Sequence, residues 1–295
     1  MGDGISSSGR GRHRQPFVAA GASAVAGTLA LTVGFLAVGL LAGGAPSATA
    51  ATRKPAVLRV MVTNDDGVGA PGIDAAVQAL RKLPGTSVTV VAPLTNQSGT
   101  GGQTTTGRLV VTKATTASGY PATAVHGYPA DTVVWAVKDH GIGRRPDLVV
   151  SGINFGENVG PLATVSGTVG AAREAVRLDI PALAASQGVD NGSAPDFAEG
   201  AAQLVAWVTS HRATLLSHRY RKPPAASLNV PTCPGTGRGP VSAPLASTIT
   251  GIDLDQVDCT STSTTTTTFA NDAQAFVDGY AVLSPLYPAR LGGAR

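Results

Sequence analysis

The amino-acid sequence predicts an α/β protein with a mostly parallel sheet that carries helices on both faces. Short Val-rich apolar runs alternate with segments whose apolar residues repeat at helical spacing. Polar clusters that contain glycine follow the ends of several apolar runs. Strands that alternate with helices favour a parallel sheet, because each helical crossover returns the chain to the same edge of the sheet.

The first elements are predicted from residues 57–92. Residues 57–63 form a Val-rich strand, apolar residues repeat at helical spacing over 73–80, and residues 87–92 form a second strand. The later elements follow the same alternation. They are strands at 148–151, 181–186 and 226–230, and helices at 131–140, 171–178 and 197–211.

The C-terminal part of the chain differs in composition. Pro, Gly, Ser and Thr dominate from residue 231 to 269, and such a segment buries little apolar surface. We therefore predict an α/β domain over residues 51–230, followed by an irregular arm over 231–295 that ends with a short strand at 281–283.

The first fifty residues have the three parts of a secretory signal. A basic start containing Arg10 and Arg14 precedes an apolar stretch over 17–41, and Ala48 and Ala50 supply small residues at cleavage spacing. The apolar stretch is also long enough to span a bilayer, which needs about 20 residues. Residues 1–50 are thus a signal peptide or a retained anchor, and we expect an exported protein, either secreted or associated with the cell envelope, with membrane contact only through this segment.

Charge and cysteine usage restrict the functions further. The formal net charge is only +4 and no basic cluster occurs, which argues against a nucleic acid polymer as a partner. The only two cysteines are Cys233 and Cys259. Export would place them in an oxidising compartment, where we expect one disulfide between them.

Polar clusters at three strand ends suggest a metal site, because ligands of open parallel sheets bind beyond the carboxyl ends of the strands. Asp65 and Asp66 follow the first strand, Ser98 follows the second, and Asn154 follows the strand at 148–151. Two adjacent carboxylates repel each other, and a divalent cation relieves that repulsion. These four oxygen donors suit one Mg²⁺ or Mn²⁺ per subunit. The alternative is a plain turn at Asp65–Gly67.

A second cluster suggests a phosphate site. Ser166, Gly167 and Thr168 precede an Ala-rich segment, and free N–H groups at a helix start can hold a phosphate oxyanion. The alternative is an ordinary N-cap at Ser166. A metal site beside an anion site indicates phosphoryl transfer from a small phosphate monoester. Asp65 or Asp66 would then also be catalytic, orienting or deprotonating a water.

Several motifs, in order along residues 57–232, resemble the SurE (survival protein E) nucleotidases. They lie at residues 62–73, 90–93, 96–99, 127–131, 147–154 and 166–174. The resemblance implies a Rossmann-like sheet, a divalent cation held by Asp65, Asp66, Ser98 and Asn154, and hydrolysis of nucleoside 5′- and 3′-monophosphates. It also implies substrate contacts from Asn64, Asn96 and residues 166–168.

The chain departs from the family pattern in two loops. Residues 161–165 lack the Asp and Tyr that usually precede the Ser-Gly-Thr motif, and a Thr-rich segment replaces the aromatic, Arg-rich C-terminal hairpin. The alternatives are another metal-dependent phosphatase or polyphosphatase on the same scaffold, or a non-catalytic nucleotide-binding module. A homodimer is a candidate assembly, and the isolated His126, His140 and His211 are candidate catalytic acids.

Overall fold

A computed structural model describes residues 56–139, 141–189, 195, 197–234, 238–266 and 268–286. Within these ranges the strands form one nine-stranded sheet of order β3-β4-β2-β1-β5-β6-β7-β9-β8. The strands are β1 (Leu58–Thr63), β2 (Thr86–Pro93), β3 (Val110–Thr115), β4 (Pro121–His126), β5 (Leu148–Phe155), β6 (Ala182–Gln187), β7 (Ala225–Val230), β8 (Arg238–Ser242) and β9 (Tyr280–Pro285).

Helices cover both faces of the sheet. They are α1 (Pro71–Leu80), α2 (Pro129–Val137), α3 (Leu162–Val165), α4 (Gly167–Arg177), α5 (Phe197–Ser217) and α6 (Asp272–Val277). Buried side chains of α1 and α5 pack on one face, and those of α2 and α4 pack on the other. The predicted α/β class, with a mostly parallel sheet between two helical layers, is confirmed.

The strand order places a crevice beside β1. The chain adds β2 on one side of β1, and later adds β5 on the other side, with both pairs parallel. The order of strands therefore reverses between β1 and β5. In α/β sheets this switch point is where the loops diverge and a ligand can enter.

Five of the observed elements were not predicted from the sequence. They are β3, β4, α3, β8 and α6. The hairpin of β3 and β4 pairs antiparallel and alternates small or polar residues with few large apolar ones, so its periodicity is weak. The remaining predicted strands and helices coincide with observed elements, with ends that differ by a few residues.

The C-terminal segment contributes more to the fold than its composition indicates. The expectation that it buries little apolar surface is wrong, because β8 and β9 extend the sheet and a third core cluster forms beneath them. Within residues 231–269, Val241, Ala243, Ala246 and Phe269 are buried in this cluster, beside Phe276 and Tyr280 from the residues that follow. A disulfide joins Cys233 to Cys259 in the same segment.

The predicted signal or anchor at residues 1–50 lies outside the described residues. Among the helices that are described, none has the length and apolar character needed to cross a membrane.

Candidate metal and phosphate site

The paired aspartates stand where β1 ends, at the switch point. Asp65 is almost fully buried, and its carboxylate accepts hydrogen bonds from the backbone N–H of Thr168, at 3.0 Å, and from the Thr168 hydroxyl. Burial raises the pKa of Asp65, and the bonds from Thr168 oppose that rise. The start of α4 therefore fixes the orientation of the first carboxylate.

Gly167 allows this close approach of α4 to β1. A Cβ atom at Gly167 would lie 2.8 Å from the Cβ of Asp65 and 3.0 Å from the Cγ of Pro129. Such distances are well inside van der Waals contact, so any larger residue would push the helix start away from Asp65. Gly67, just after the aspartates, has φ +103°, a left-handed conformation that glycine adopts without strain.

Asp66 faces the open side of the crevice. Its Oδ2 accepts the backbone N–H of Phe155 at 3.1 Å, which ties the ends of β1 and β5 together. Burial, together with the nearby carboxylate of Asp65, raises the pKa of Asp66 to about 6. The two neighbouring carboxylates repel each other when both are ionised, and a bound cation would relieve that repulsion.

The two neutral donors lie on the neighbouring loops. Asn154 is nearly buried and its Nδ2 donates to the carbonyls of Phe155 and Gly156, so its Oδ1 is the atom left for a ligand. Ser98 lines a cavity of about 300 Å³ together with Asp66 and Asn96. The N–H of Gln97 donates to the carbonyl of Asp65 at 2.7 Å, and this bond holds the Ser98 loop against the aspartates.

The donor set fits a hard divalent cation. All four predicted ligands offer oxygen atoms, and the backbone contacts above bring their loops together at one strand edge. Asn64 is fully buried, and its Nδ2 donates to the carbonyl of Gly67. The Oδ1 of Asn64 is buried with no hydrogen-bond partner, so this acceptor still needs a hydrogen-bond donor or a cation. No cluster of three or more His, Cys, Asp or Glu suited to a metal occurs in the described ranges.

The predicted phosphate cluster is used differently from the expectation. Ser166 is the N-cap of α4, since its Oγ accepts the N–H of Val169 at 3.1 Å. The N–H of Thr168 is bound to Asp65. The N–H groups of Thr168 and Val169 are therefore occupied, and the expectation of free N–H groups is wrong at these two positions. Thr168 holds Asp65, a predicted metal ligand, in place, and direct phosphate contact by Ser166 or Gly167 stays a prediction.

Sequence reasoning missed the residues that hold the loop after β5. The N–H of Asn158 donates to Asn229 at 2.6 Å, and its Nδ2 donates to Ser186 at 2.9 Å. Asp272 is fully buried and accepts the N–H groups of Gly160, at 2.9 Å, and of Ala246, at 2.7 Å. The sequence gives a signal for Asn158, which is a polar residue in the same glycine-rich loop as Asn154. It gives none for Asp272, because its partners are remote in sequence.

The candidate catalytic histidines do not join this group. His126 and His211 are not among the residues that line the cavity with Asp66 and Ser98. His211 stacks on Trp207 instead, with ring centroids 4.1 Å apart. His140 lies outside the described residues.

Together, the fold and the site define an α/β protein of the Rossmann-like class with paired aspartates and neutral oxygen donors at the topological switch point. The family model described as Survival protein SurE matches residues 60–249. The chain therefore belongs to the SurE family, as the motif resemblance implies.

Individual relatives agree with this assignment. A protein from Methanopyrus kandleri named 5′-nucleotidase SurE is 46% identical over 140 residues, which are 46% of this chain and 51% of that protein. A protein of the same name from Deinococcus radiodurans is 48% identical over 147 residues, covering 49% of this chain and 53% of that one. The chain thus matches about half the length of these curated relatives.

A solved structure extends the similarity to the fold. The crystal structure of the SurE protein from Aquifex aeolicus superposes with a TM-score of 0.61 at 26% identity. The match covers 79% of this chain and 95% of that chain.

Proposed function

We propose that the protein is a divalent-metal-dependent phosphomonoesterase that hydrolyses nucleoside 5′-monophosphates, and also 3′-monophosphates, to nucleoside and phosphate. The observation that carries this proposal is that backbone hydrogen bonds bring the loops bearing Asp65, Asp66, Ser98 and Asn154 together at the switch point beside β1. The relatives named 5′-nucleotidase SurE support the same activity.

The chain's own residues have separate roles in this reaction. Asp65, held by Thr168, and Asp66, held by Phe155, would bind the cation together with Ser98 and Asn154. When bound, the cation supplies Lewis acidity toward a phosphate oxygen and lowers the pKa of an attacking water. Asp66 faces the cavity and is the carboxylate able to orient or deprotonate that water.

Substrate contacts come from the same loops. Asn96 lines the cavity beside Ser98, and its Oδ1 accepts the N–H of Ser98 at 2.8 Å, so its Nδ2 remains available for a phosphate oxygen. Asn64 lies buried directly before the aspartates, and its unpaired Oδ1 would accept from a bound donor. We assign the phosphate to this side of the crevice.

Mg²⁺ and Mn²⁺ are the proposed cations, because the donors are all oxygen. Export remains a proposal that rests on residues 1–50, and N-terminal sequencing of protein from the medium or envelope would test it. A mature chain that starts near Ala51 would support cleavage, and an intact chain in the membrane fraction would favour the anchor. A homodimer is proposed from the family resemblance, and light scattering would test it.

A substrate panel tests the proposed activity against its alternatives. We expect phosphate release from 5′-AMP and 3′-AMP with Mg²⁺ or Mn²⁺, and none in EDTA. Release from tripolyphosphate or p-nitrophenyl phosphate, with none from nucleotides, would favour another phosphatase on this scaffold. Binding of AMP without release under any metal condition would favour a nucleotide-binding module.

A further inference from the structure

Two phenylalanines form an apolar wall beside the proposed metal site. The cavity of about 300 Å³ that contains Asp66, Asn96 and Ser98 is also lined by Phe155 and Phe197. Phe155 is 54% exposed, although it ends a strand whose preceding seven residues are all buried. A large aromatic ring therefore lies exposed beside the polar groups of the proposed metal site.

The backbone of Phe155 explains why its ring stays in this position. Its N–H donates to Asp66 at 3.1 Å, and its carbonyl accepts from Asn154 at 3.2 Å. The main chain on both sides of the ring is therefore fixed to two proposed cation ligands. The side chain itself is free of these bonds, so the ring can serve another purpose without disturbing the metal site.

Phe197 reaches the same cavity from the first turn of α5. Its ring packs over Gly72 at the start of α1, where a Cβ atom would lie 2.9 Å from the ring and 1.9 Å from the carbonyl of Ile153. Gly72 thus leaves the space that Phe197 occupies. Pro71 and Ala70 also line this cavity and add to its apolar surface.

We propose that Phe155 and Phe197 bind the nucleobase of the substrate, and so set the preference for nucleotides over phosphate esters that lack a base. This inference rests on the proposed function. The cavity has polar oxygen donors and an aromatic wall side by side, which matches a molecule with a phosphate at one end and a flat ring at the other. Its volume is at the lower end of the usual range for ligand sites, about 300–1,000 Å³.

The aromatic wall predicts that the site accepts nucleotides with different bases. Stacking on an aromatic ring tolerates every base, since each presents a similar face. Among the described residues, the polar side chains that line the cavity are Asp66, Asn96 and Ser98, which are already assigned to the cation and the phosphate. We therefore expect purine and pyrimidine monophosphates to bind with similar affinity.

The test compares 5′-AMP with ribose 5-phosphate, which carries the same sugar and phosphate and no base. Phe155→Ala is expected to raise the KM for AMP about tenfold, the usual scale for loss of one stacking ring, while the kcat for AMP stays within about twofold. The KM for ribose 5-phosphate should stay within about twofold. Phe155→Tyr should restore the affinity for AMP, whereas Phe155→Leu, which keeps apolar bulk without a ring, should not.

Val110→Ala is the matched control, because Val110 is 58% exposed on β3 and does not line the cavity. If Phe155→Ala raises the KM for AMP and the KM for ribose 5-phosphate by the same factor, the base assignment is overturned and the proposed function stands. An unchanged KM for AMP in both Phe155→Ala and Phe197→Ala would overturn it as well. A wild-type protein that hydrolyses neither compound would refute the proposed function, and the inference with it.

Discussion

At the scale of single residues, hydrogen bonds hold three of the four proposed ligands, and for the two aspartates the bond comes from another loop. Thr168 fixes Asp65, the N–H of Phe155 fixes Asp66, and two carbonyls fix the amide of Asn154. Groups that orient ligands in this way commonly matter almost as much as the ligands themselves. The sequence motif predicts which residues are ligands, and the structure adds which residues hold them.

Thr168 provides the sharpest test of this support. In Thr168→Val the hydroxyl bond to Asp65 is lost, while the backbone N–H bond and the side-chain shape are kept. We expect a loss of about 10–100-fold in Mn²⁺ affinity, measured by calorimetric titration. Thr168→Ser keeps the hydroxyl and should retain most of the affinity. If Thr168→Val binds Mn²⁺ as tightly as the wild type, Thr168 does not position Asp65.

At the scale of elements, much of the fold is predictable because the local signals agree with the final environment. β1 and β5 are buried along almost their whole length, so apolar residues dominate both, and polar residues at or just after their ends mark the crevice. The aspartate pair and Asn154 could be found from this pattern alone. The hairpin of β3 and β4 could not, because its stability depends on cross-strand pairing that leaves little periodicity in the sequence.

The chemical role of the residues at the start of α4 could not be predicted from the sequence. A Ser-Gly-Thr sequence before a helix is compatible with an N-cap and with an anion site, and the local sequence does not distinguish them. Only the distance to Asp65 decides the use of Thr168. The approach of two elements that are about 100 residues apart in sequence is a property of the tertiary structure.

Gly167→Ala tests the close approach of α4 to Asp65. The added methyl group would overlap Asp65 and Pro129, and the helix start must shift. We expect a loss of about 1–3 kcal/mol in the free energy of unfolding, as for other overpacked sites, together with a marked loss of Mn²⁺ affinity. Gly69→Ala is the control, since a Cβ there meets nothing within 4 Å. Wild-type unfolding and metal binding in Gly167→Ala would show that the contact is not required.

At the scale of the whole molecule, the C-terminal segment supports the loop after β5, which follows Asn154. Val159 from that loop is buried in the same core cluster as Phe276, and Asp272 binds the N–H groups of Gly160 and Ala246. The composition of the segment hid this role, because its few apolar residues are spread among many Ser and Thr residues. Their burial depends on folding against β9 and the loop after β5.

The disulfide should stabilise this segment more than it affects catalysis. Cys233 and Cys259 are 26 positions apart, and closing a loop of that size contributes roughly 3–4 kcal/mol on the chain-entropy estimate. Reduction should therefore lower the midpoint of thermal unfolding by about 10 °C. While the protein remains folded, kcat should stay within about twofold, because the contacts of Asp272 and the buried core are non-covalent and persist.

Differential scanning calorimetry and AMP hydrolysis, with and without reductant, check this prediction. Cys233→Ser with Cys259→Ser serves as the control for side effects of the reductant. A large loss of kcat at a temperature where the reduced protein is folded would mean that the disulfide, rather than Asp272, holds the loop after β5.

The central claim is that the oxygen donors at the switch point hold a cation on which phosphate-ester hydrolysis depends. The most direct measurement is phosphate release from AMP by dialysed wild-type protein and by Asp66→Asn, each with Mn²⁺ and with EDTA. Asp139→Asn is the control, because Asp139 is an exposed carboxylate that does not line the cavity. We predict turnover only in wild type and Asp139→Asn with Mn²⁺, and a loss of at least about 100-fold in Asp66→Asn. Undiminished turnover in EDTA, or in Asp66→Asn, would contradict the claim.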